Sequence, residues 1–582
     1  MMYDLNRNFN KACKMSKRSE GGISIRQQLE FLFAGNESFD LETPPPWPPD
    51  VFAAVGLLLL RSGAYARVLK SWPPKEGREE ASKSDWVNRV RRVGRKWRLA
   101  YPNDEPPPRE VGTWWAVLLQ HAEIDLDAIA REDREEEYAV LVGCLLQLFA
   151  AADEACQGVG LPPSGSRESA LTASAKDRFL YLANSRLIRS SADGRGGATL
   201  CWSISWSRVR VLPKMHTPQS GMTLRSLSHH LALAPSDDLL PRWQIVPTSL
   251  QHRENVINLL VMPWPLEIVP ADFKAVREPD PTNPFGLFGF SPAQTSVIAF
   301  ENRFKALLHE AKRNVGTTDG IVLPEVALSL DELQVAKRLA HENNAFLVTG
   351  IRGPRKDSTG QVEELNACAF QFPGTASFEQ KKHHRWRLDR RQIVQYGLGS
   401  QLDPQFPWWE SFAMSQRELY FFSMRAWLAL SVLICEDLAR QEPVAEIIRA
   451  VGPNLVIALL MDGPQKEFRW SSRYATVFAD DPGSSVLTLT SLGMARLSRP
   501  PKGAGESRVV ALWKDGRTSE MTEIELPSGC DGLVLTLTRE FTEELCADGR
   551  GDGGSAGFPS LTGIFPLCSS LFSAKGAKIP EH

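Results

Sequence analysis

Past residue 290 the chain alternates strand-length apolar runs with segments whose apolar residues return every three or four positions. Val297, Phe300, Phe304, Leu307 and Leu308 predict a helix over residues 294–313. The run Gly320-Ile321-Val322-Leu323-Pro324-Glu325 predicts a strand, and residues 330–344 a helix with Ser329 or Asp331 as its N-cap. Strands are expected over 345–350 and 366–372, then over 454–460, 485–491, 509–513 and 532–537, with a helix near 443–451. Strands alternating with helices predict α/β layers.

Upstream the pattern is helical. Segments near 51–72, 85–99, 111–121 and 135–157 are separated by charged or proline-rich breaks such as Pro73-Pro74 and Pro106-Pro107-Pro108. The proline run 43–49 cannot be helical, and Asp50 is placed to cap the helix that begins at Val51. Trp72, Trp86, Trp97, Trp114 and Trp115 are candidate core anchors, and no enzyme motif occurs here. Residues 198–212 lean toward strand character. The adjacent His229 and His230 do not share a helix face as i, i+4 metal ligands would. These features divide the chain into a flexible 1–30, a helical domain 31–160, a mixed connection 161–241, an α/β domain 242–541 and a flexible tail 542–582. The Gly- and Asp-rich stretch 548–557 reads as a linker.

Three residues carry candidate chemistry. Glu325 ends one apolar strand, and Cys435 ends another in Val432-Leu433-Ile434-Cys435-Glu436-Asp437-Leu438. Lys381 and Lys382 lie between them in Gln380-Lys381-Lys382-His383-His384. A thiol near its ordinary pKa of about 8.5 is mostly protonated at neutral pH, so a thiolate nucleophile needs a base. Glu325 can take that proton. A lysine and a backbone N–H can stabilise the oxyanion that forms when sulfur attacks an amide carbon.

A carboxylate, a lysine and a cysteine in this order, each at or near a strand end, resemble the nitrilase or carbon–nitrogen hydrolase superfamily. The resemblance covers roughly residues 242–541. It implies an α-β-β-α sandwich, here preceded by a mostly helical N-terminal domain. It makes Glu325 the general base, a lysine the oxyanion stabiliser and Cys435 the nucleophile of a covalent thioester. Trp470 with Arg473-Tyr474-Ala475 matches the start of the next helix of that fold. The family's Lys-x-His-Leu favours Lys381, yet Lys382 fits almost as well, and only one of two adjacent strand residues can point into a site. His384 stands where that pattern has leucine. Asp437 and Arg440 echo its Asp-Leu-Arg with one extra residue, and are expected to brace the loop. Glu436 and His383 are candidate substrate contacts. The resemblance further implies hydrolysis of a small amide or carbamoyl compound, no metal or organic cofactor, and a homodimer formed through the hydrolase domain.

Composition narrows the alternatives. Lys plus Arg total 67 against 69 Asp plus Glu, a net charge of −2, which excludes a globally basic nucleic-acid coating. Residues 381–391 are locally basic, with Trp386 among six Lys or Arg and a single acid, Asp389. An anionic substrate accounts for this run more economically than nucleic acid does. Nine scattered cysteines without a Cys-x-x-Cys pair argue against a disulfide framework and for a reducing compartment. The apolar run 51–60 is too short to span a bilayer and the N-terminus has no usual signal-peptide form, so a cytoplasmic protein is expected. The competing function is a ligand-sensing module with weak or lost catalysis, signalling through the helical domain.

Overall fold

The computed structural model describes residues 22–37, 39–69, 83–162, 174–194, 196–234, 239–246, 254–292, 296–356, 360–498, 506–554 and 556–568. The expectations for residues 1–21, for Trp72 with Pro73-Pro74, and for 569–582 lie outside these.

Two seven-stranded sheets dominate. The first runs Phe378–Lys381, Val362–Gln371, Phe346–Lys356, Gly320–Leu328, Val256–Val261, Gly532–Phe541, Gly557–Leu567. The second runs Met521–Glu525, Val509–Lys514, Ser485–Thr490, Leu455–Leu460, Leu428–Ile434, Arg417–Arg425, Leu239–Ile245. Their central strands pair in parallel. Side chains alternate faces along a strand, which gives each sheet two apolar faces and explains the continuous apolar runs. Ile257, Leu259, Val322 and Val348 of the first sheet share one cluster with Leu430, Val432, Ile457 and Leu487 of the second. The alternate residues Leu260, Ile321 and Leu323 pack on Phe300, Phe304, Leu307 and Leu333 of the helices Val297–Val315 and Leu330–Glu342. Ser329 caps the second helix, its side chain accepting the Glu332 N–H.

All described elements between residues 25 and 192 are helices. Their core is continuous with the outer face of the second sheet: Phe52, Trp97 and Phe149 belong to one cluster with Leu433, Val456 and Phe478. Several details differ from expectation. Helix Pro48–Ser62 starts at its prolines, which suit a first turn that has no N–H bonds to lose. Asp50 therefore does not cap it; its buried carboxylate accepts the N–H groups of Trp202 and Ser203, both at 2.9 Å. Burial lifts that carboxyl to about 6 against these N–H bonds. The helix ends at Ser62 rather than near 72, because Gly63 turns left-handed. Only Arg210–Pro213 of the stretch 198–212 forms a strand, and an unforeseen helix spans Ala175–Ala192. Among the described residues Cys530 and Cys568 form a disulfide, one cross-link in a chain whose cysteine pattern argued against a disulfide framework. No helix among the described residues is long and apolar enough to cross a membrane.

The described part of the expected flexible tail, up to residue 568, is built into the molecule. Residues 557–567 extend the first sheet, and the stretch read as a linker carries the fully buried Arg550. Its guanidinium pairs with Asp153 at 3.1 Å, Glu154 at 3.0 Å and Asp548 at 2.8 Å, and donates to the Leu227 carbonyl. Asp153 also accepts the N–H groups of His229, His230 and Leu231. Burial alone would raise the Asp153 carboxyl, but Arg550, His230 and His229 bring it down to about 2. A depressed carboxyl stabilises the fold fully above its unfolded pKa near 4, and that contribution fades as pH falls toward 2. The expected result is a loss of about 2 kcal/mol across that window, measured by denaturant titration. Asp153→Asn should remove the slope.

Candidate active site

Glu325 lies inside strand Gly320–Leu328, and Val326 after it turns left-handed at φ 47°. Cys435 follows strand Leu428–Ile434 and is also left-handed at φ 47°. Such a conformation costs a non-glycine residue about 1–3 kcal/mol and concentrates at functional bends. Gly350 on the neighbouring strand makes room for the first bend. A Cβ there would lie 2.3 Å from the Pro324 carbonyl oxygen and 2.6 Å from the Glu325 Cα. These are backbone atoms that cannot swing aside. Gly350→Ala is expected to lower stability by about 1–3 kcal/mol, read as a fall in melting temperature.

Lys382, not Lys381, meets Glu325. Lys381 ends strand Phe378–Lys381 opposite Ala367, and its ammonium pairs with Glu363 at 3.0 Å. Lys382 is the next residue and turns the other way; its N–H bonds to the Asn366 carbonyl at 2.9 Å. Its ammonium is buried between two carboxylates, donating to Glu325 at 2.7 Å and to Glu410 at 2.6 Å. The Asn366 side-chain amide bridges the same carboxylates, at 2.7 Å to Glu325 and 2.5 Å to Glu410. Lys382 and Asn366 hold the same Glu325 oxygen, Oε1. The other, Oε2, is buried with no hydrogen-bond partner among the described residues.

The electrostatics bind these groups to Cys435. Burial and the Glu325 charge push its thiol well above the ordinary range, against the pull of Lys382 and of the Met461 N–H. Burial pushes the Glu325 carboxyl up; Lys382 pulls it down and Glu410 pushes it up, leaving it raised. Burial opposes the Lys382 charge, but Glu325 and Glu410 hold its ammonium well above the ordinary value. These influences favour the protonated thiol, make the carboxylate more basic and favour the charged lysine. The arrangement suits a thiol that gives up its proton only as it attacks.

Asp437 staples the lysine loop to the cysteine loop. Its buried carboxylate accepts the His383 N–H at 3.1 Å and bonds His384 Nδ1 at 2.8 Å. This is what histidine does at 384 in place of leucine. His383 itself is buried, with Nε2 against the Glu418 carbonyl at 2.8 Å, which fits a structural brace better than the expected substrate contact. Glu436 is half-buried and pairs with Arg440 at 2.7 Å, so Arg440 braces the loop through Glu436. Met461 and Asp462 follow the end of strand Leu455–Leu460, the neighbour of the cysteine strand. Asp462 accepts the Tyr396 hydroxyl at 2.7 Å and the Trp470 indole N–H at 2.9 Å, and pairs with Arg469. Glu410, Asn366, Gly350 and Asp462 were not singled out from the sequence. No group of three or more His, Cys, Asp or Glu among the described residues is placed to hold a metal ion.

No family model and no curated protein matches the sequence. Solved structures do match it over about half of its length. A branch 10 nitrilase-superfamily protein from Saccharomyces cerevisiae is 13% identical, with 48% of this chain and 89% of that chain covered and a TM-score of 0.30. A CN-hydrolase superfamily protein from Xanthomonas campestris is 13% identical over the same shares, with a TM-score of 0.29. An amidase from Nesterenkonia sp. is 13% identical, with 50% and 94% covered and a TM-score of 0.28.

Proposed function

We propose that this protein is a carbon–nitrogen hydrolase of the amidase kind, acting on a small amide or carbamoyl substrate through Glu325, Lys382 and Cys435. The observation that carries the reading is the buried lysine between two carboxylates, coupled to a cysteine on a strained bend. The layers then read as an α-β-β-α sandwich with a helical unit before it.

In the proposed cycle the unpartnered Glu325 oxygen takes the thiol proton as Sγ bonds to the amide carbon. The carbonyl π bond opens to an oxyanion, which Lys382 and a backbone N–H stabilise; such a donor is worth about 2.7–4 kcal/mol in comparable sites. The oxyanion collapses, the C–N bond breaks, and Glu325 returns its proton to the departing ammonia or amine. A water then gives a proton to Glu325 and its oxygen attacks the thioester. Collapse breaks the C–S bond, the acid leaves, and the thiol recovers its proton. Glu410 keeps Lys382 charged and in place throughout.

Ammonia release from a panel of primary amides and N-carbamoyl compounds tests the reading. Release by wild type that disappears in Cys435→Ala supports it. A compound that binds tightly in the panel without ammonia or acid being formed would favour the ligand-sensing alternative.

A further inference from the structure

A four-stranded sheet, separate from the two large ones, supplies Glu410 from one face and leaves the other face half-open. Its strands are Arg387–Leu388, Trp408–Glu410, Gly286–Phe290 and Phe273–Arg277. Leu388, Trp408, Glu410 and Phe288 are buried on the inner side. The register places Arg387 opposite Trp409, Trp409 opposite Leu287, and Leu287 opposite Arg277. Directly opposed residues share a face, so these four form one row on the outer side. Phe285 and Arg385, each two residues from a member of the row, join that side. With Arg277, Leu287 and Trp409 they line an open surface depression of about 370 Å³.

The chemistry of this face is cationic and aromatic. Arg277 lies 5.2 Å from the Phe285 ring and Arg387 5.8 Å from the Trp409 ring. Arg385 lies 5.2 Å from the Phe412 ring, its head oriented by the carbonyls of Glu410 and Phe412. None of the three guanidiniums forms an ion pair with a carboxylate among the described residues. Asp280, which feels the Arg277 charge, is already held by Thr282 and Asn283. Arg277 Nε is buried and has no hydrogen-bond partner among the described residues. Guanidinium forks match phosphate and carboxylate geometry, and an indole offers a stacking wall.

We propose that this outer face is a second binding site, for a small phosphate-bearing ligand with a planar aromatic ring, the class of a nucleoside monophosphate. The anion sits between Arg277 and Arg385 and the ring lies against Trp409. The site stands whether or not the hydrolase reading holds, because none of its side chains belongs to the Glu325–Lys382–Cys435 cluster.

The test is calorimetric titration of the full chain with adenosine 5′-monophosphate, adenosine, inorganic phosphate and a single-stranded oligonucleotide. The monophosphate is expected to bind about ten-fold or more tightly than adenosine or phosphate. Arg277→Gln and Trp409→Leu are each expected to weaken it by about ten-fold, with melting temperatures checked against wild type. No binding of the monophosphate, or binding unchanged in both folded variants, overturns the proposal. So does phosphate binding as tightly as the monophosphate, which makes this a plain anion site. Oligonucleotide binding without monophosphate binding overturns it in favour of a nucleic-acid surface.

Discussion

Lys382→Met is expected to destabilise the protein by about 3–5 kcal/mol at neutral pH, the usual cost of leaving a buried charge without its partner. The ammonium donates to both Glu325 and Glu410, no other cation among the described residues does so, and both carboxylates are buried. Without it the two carboxyls face each other across Asn366. They cannot both stay ionised at low cost, and Glu325, already raised by burial, moves further above the unfolded value near 4.3. A raised carboxyl destabilises the fold above its unfolded pKa, and that penalty is relieved as pH falls. The variant should therefore recover part of its lost stability between about pH 7 and pH 4. Lys381→Met removes a half-buried pair with Glu363 and should cost no more than about 1 kcal/mol. Denaturant midpoints for the two variants across pH check both statements. Equal losses would mean that the lysines are interchangeable supports.

Glu325→Gln is expected to lower turnover of any amide the wild type hydrolyses by about 10²–10⁴-fold, the usual weight of a positioned general base. Its effect on stability should be smaller than that of Lys382→Met. The ammonium keeps Glu410 as a partner at 2.6 Å, so no buried ion is orphaned. The resting thiol should respond in the opposite sense to turnover. The Glu325 charge raises the Cys435 pKa, and Lys382 lowers it. Removing the carboxylate alone should let the thiol ionise at lower pH while catalysis falls. A more acidic cysteine in a slower enzyme distinguishes loss of a base from general damage to the site. Steady-state kinetics on one substrate and the pH profile of Cys435 alkylation supply the two readings.

The parts of the site legible in the sequence are those carried by local pattern. Glu325 and Cys435 stand out because each closes an apolar run, and a run buried on both faces needs no long-range information to recognise. The lysine was ambiguous because the choice between neighbours depends on where strand Phe378–Lys381 stops pairing with Val362–Gln371. Glu410 gave no signal at all. Its strand is three residues long and exists only through its pairing with Arg387–Leu388 and Gly286–Phe290. Gly350 is one glycine among 42 until the backbone of Glu325 passes beside it. Arg550 sits in a Gly- and Asp-rich stretch whose composition describes a freely turning backbone. Its partner Asp153 lies 397 residues away on a helix. Composition records conformational freedom in the unfolded chain, and a buried ion pair of such separation leaves no trace in it.

In the proposed function Cys435 is a nucleophile served by Glu325. Incubation with p-nitrophenyl acetate, followed by intact-protein and peptide mass spectrometry, tests this most directly, because an activated ester acylates a competent thiol without knowledge of the natural substrate. A single acetyl group is expected on Cys435 in wild type, none in Cys435→Ala, and slower acylation in Glu325→Gln. Acetylation spread over several cysteines, or at Cys435 at a rate indifferent to Glu325, would contradict this role.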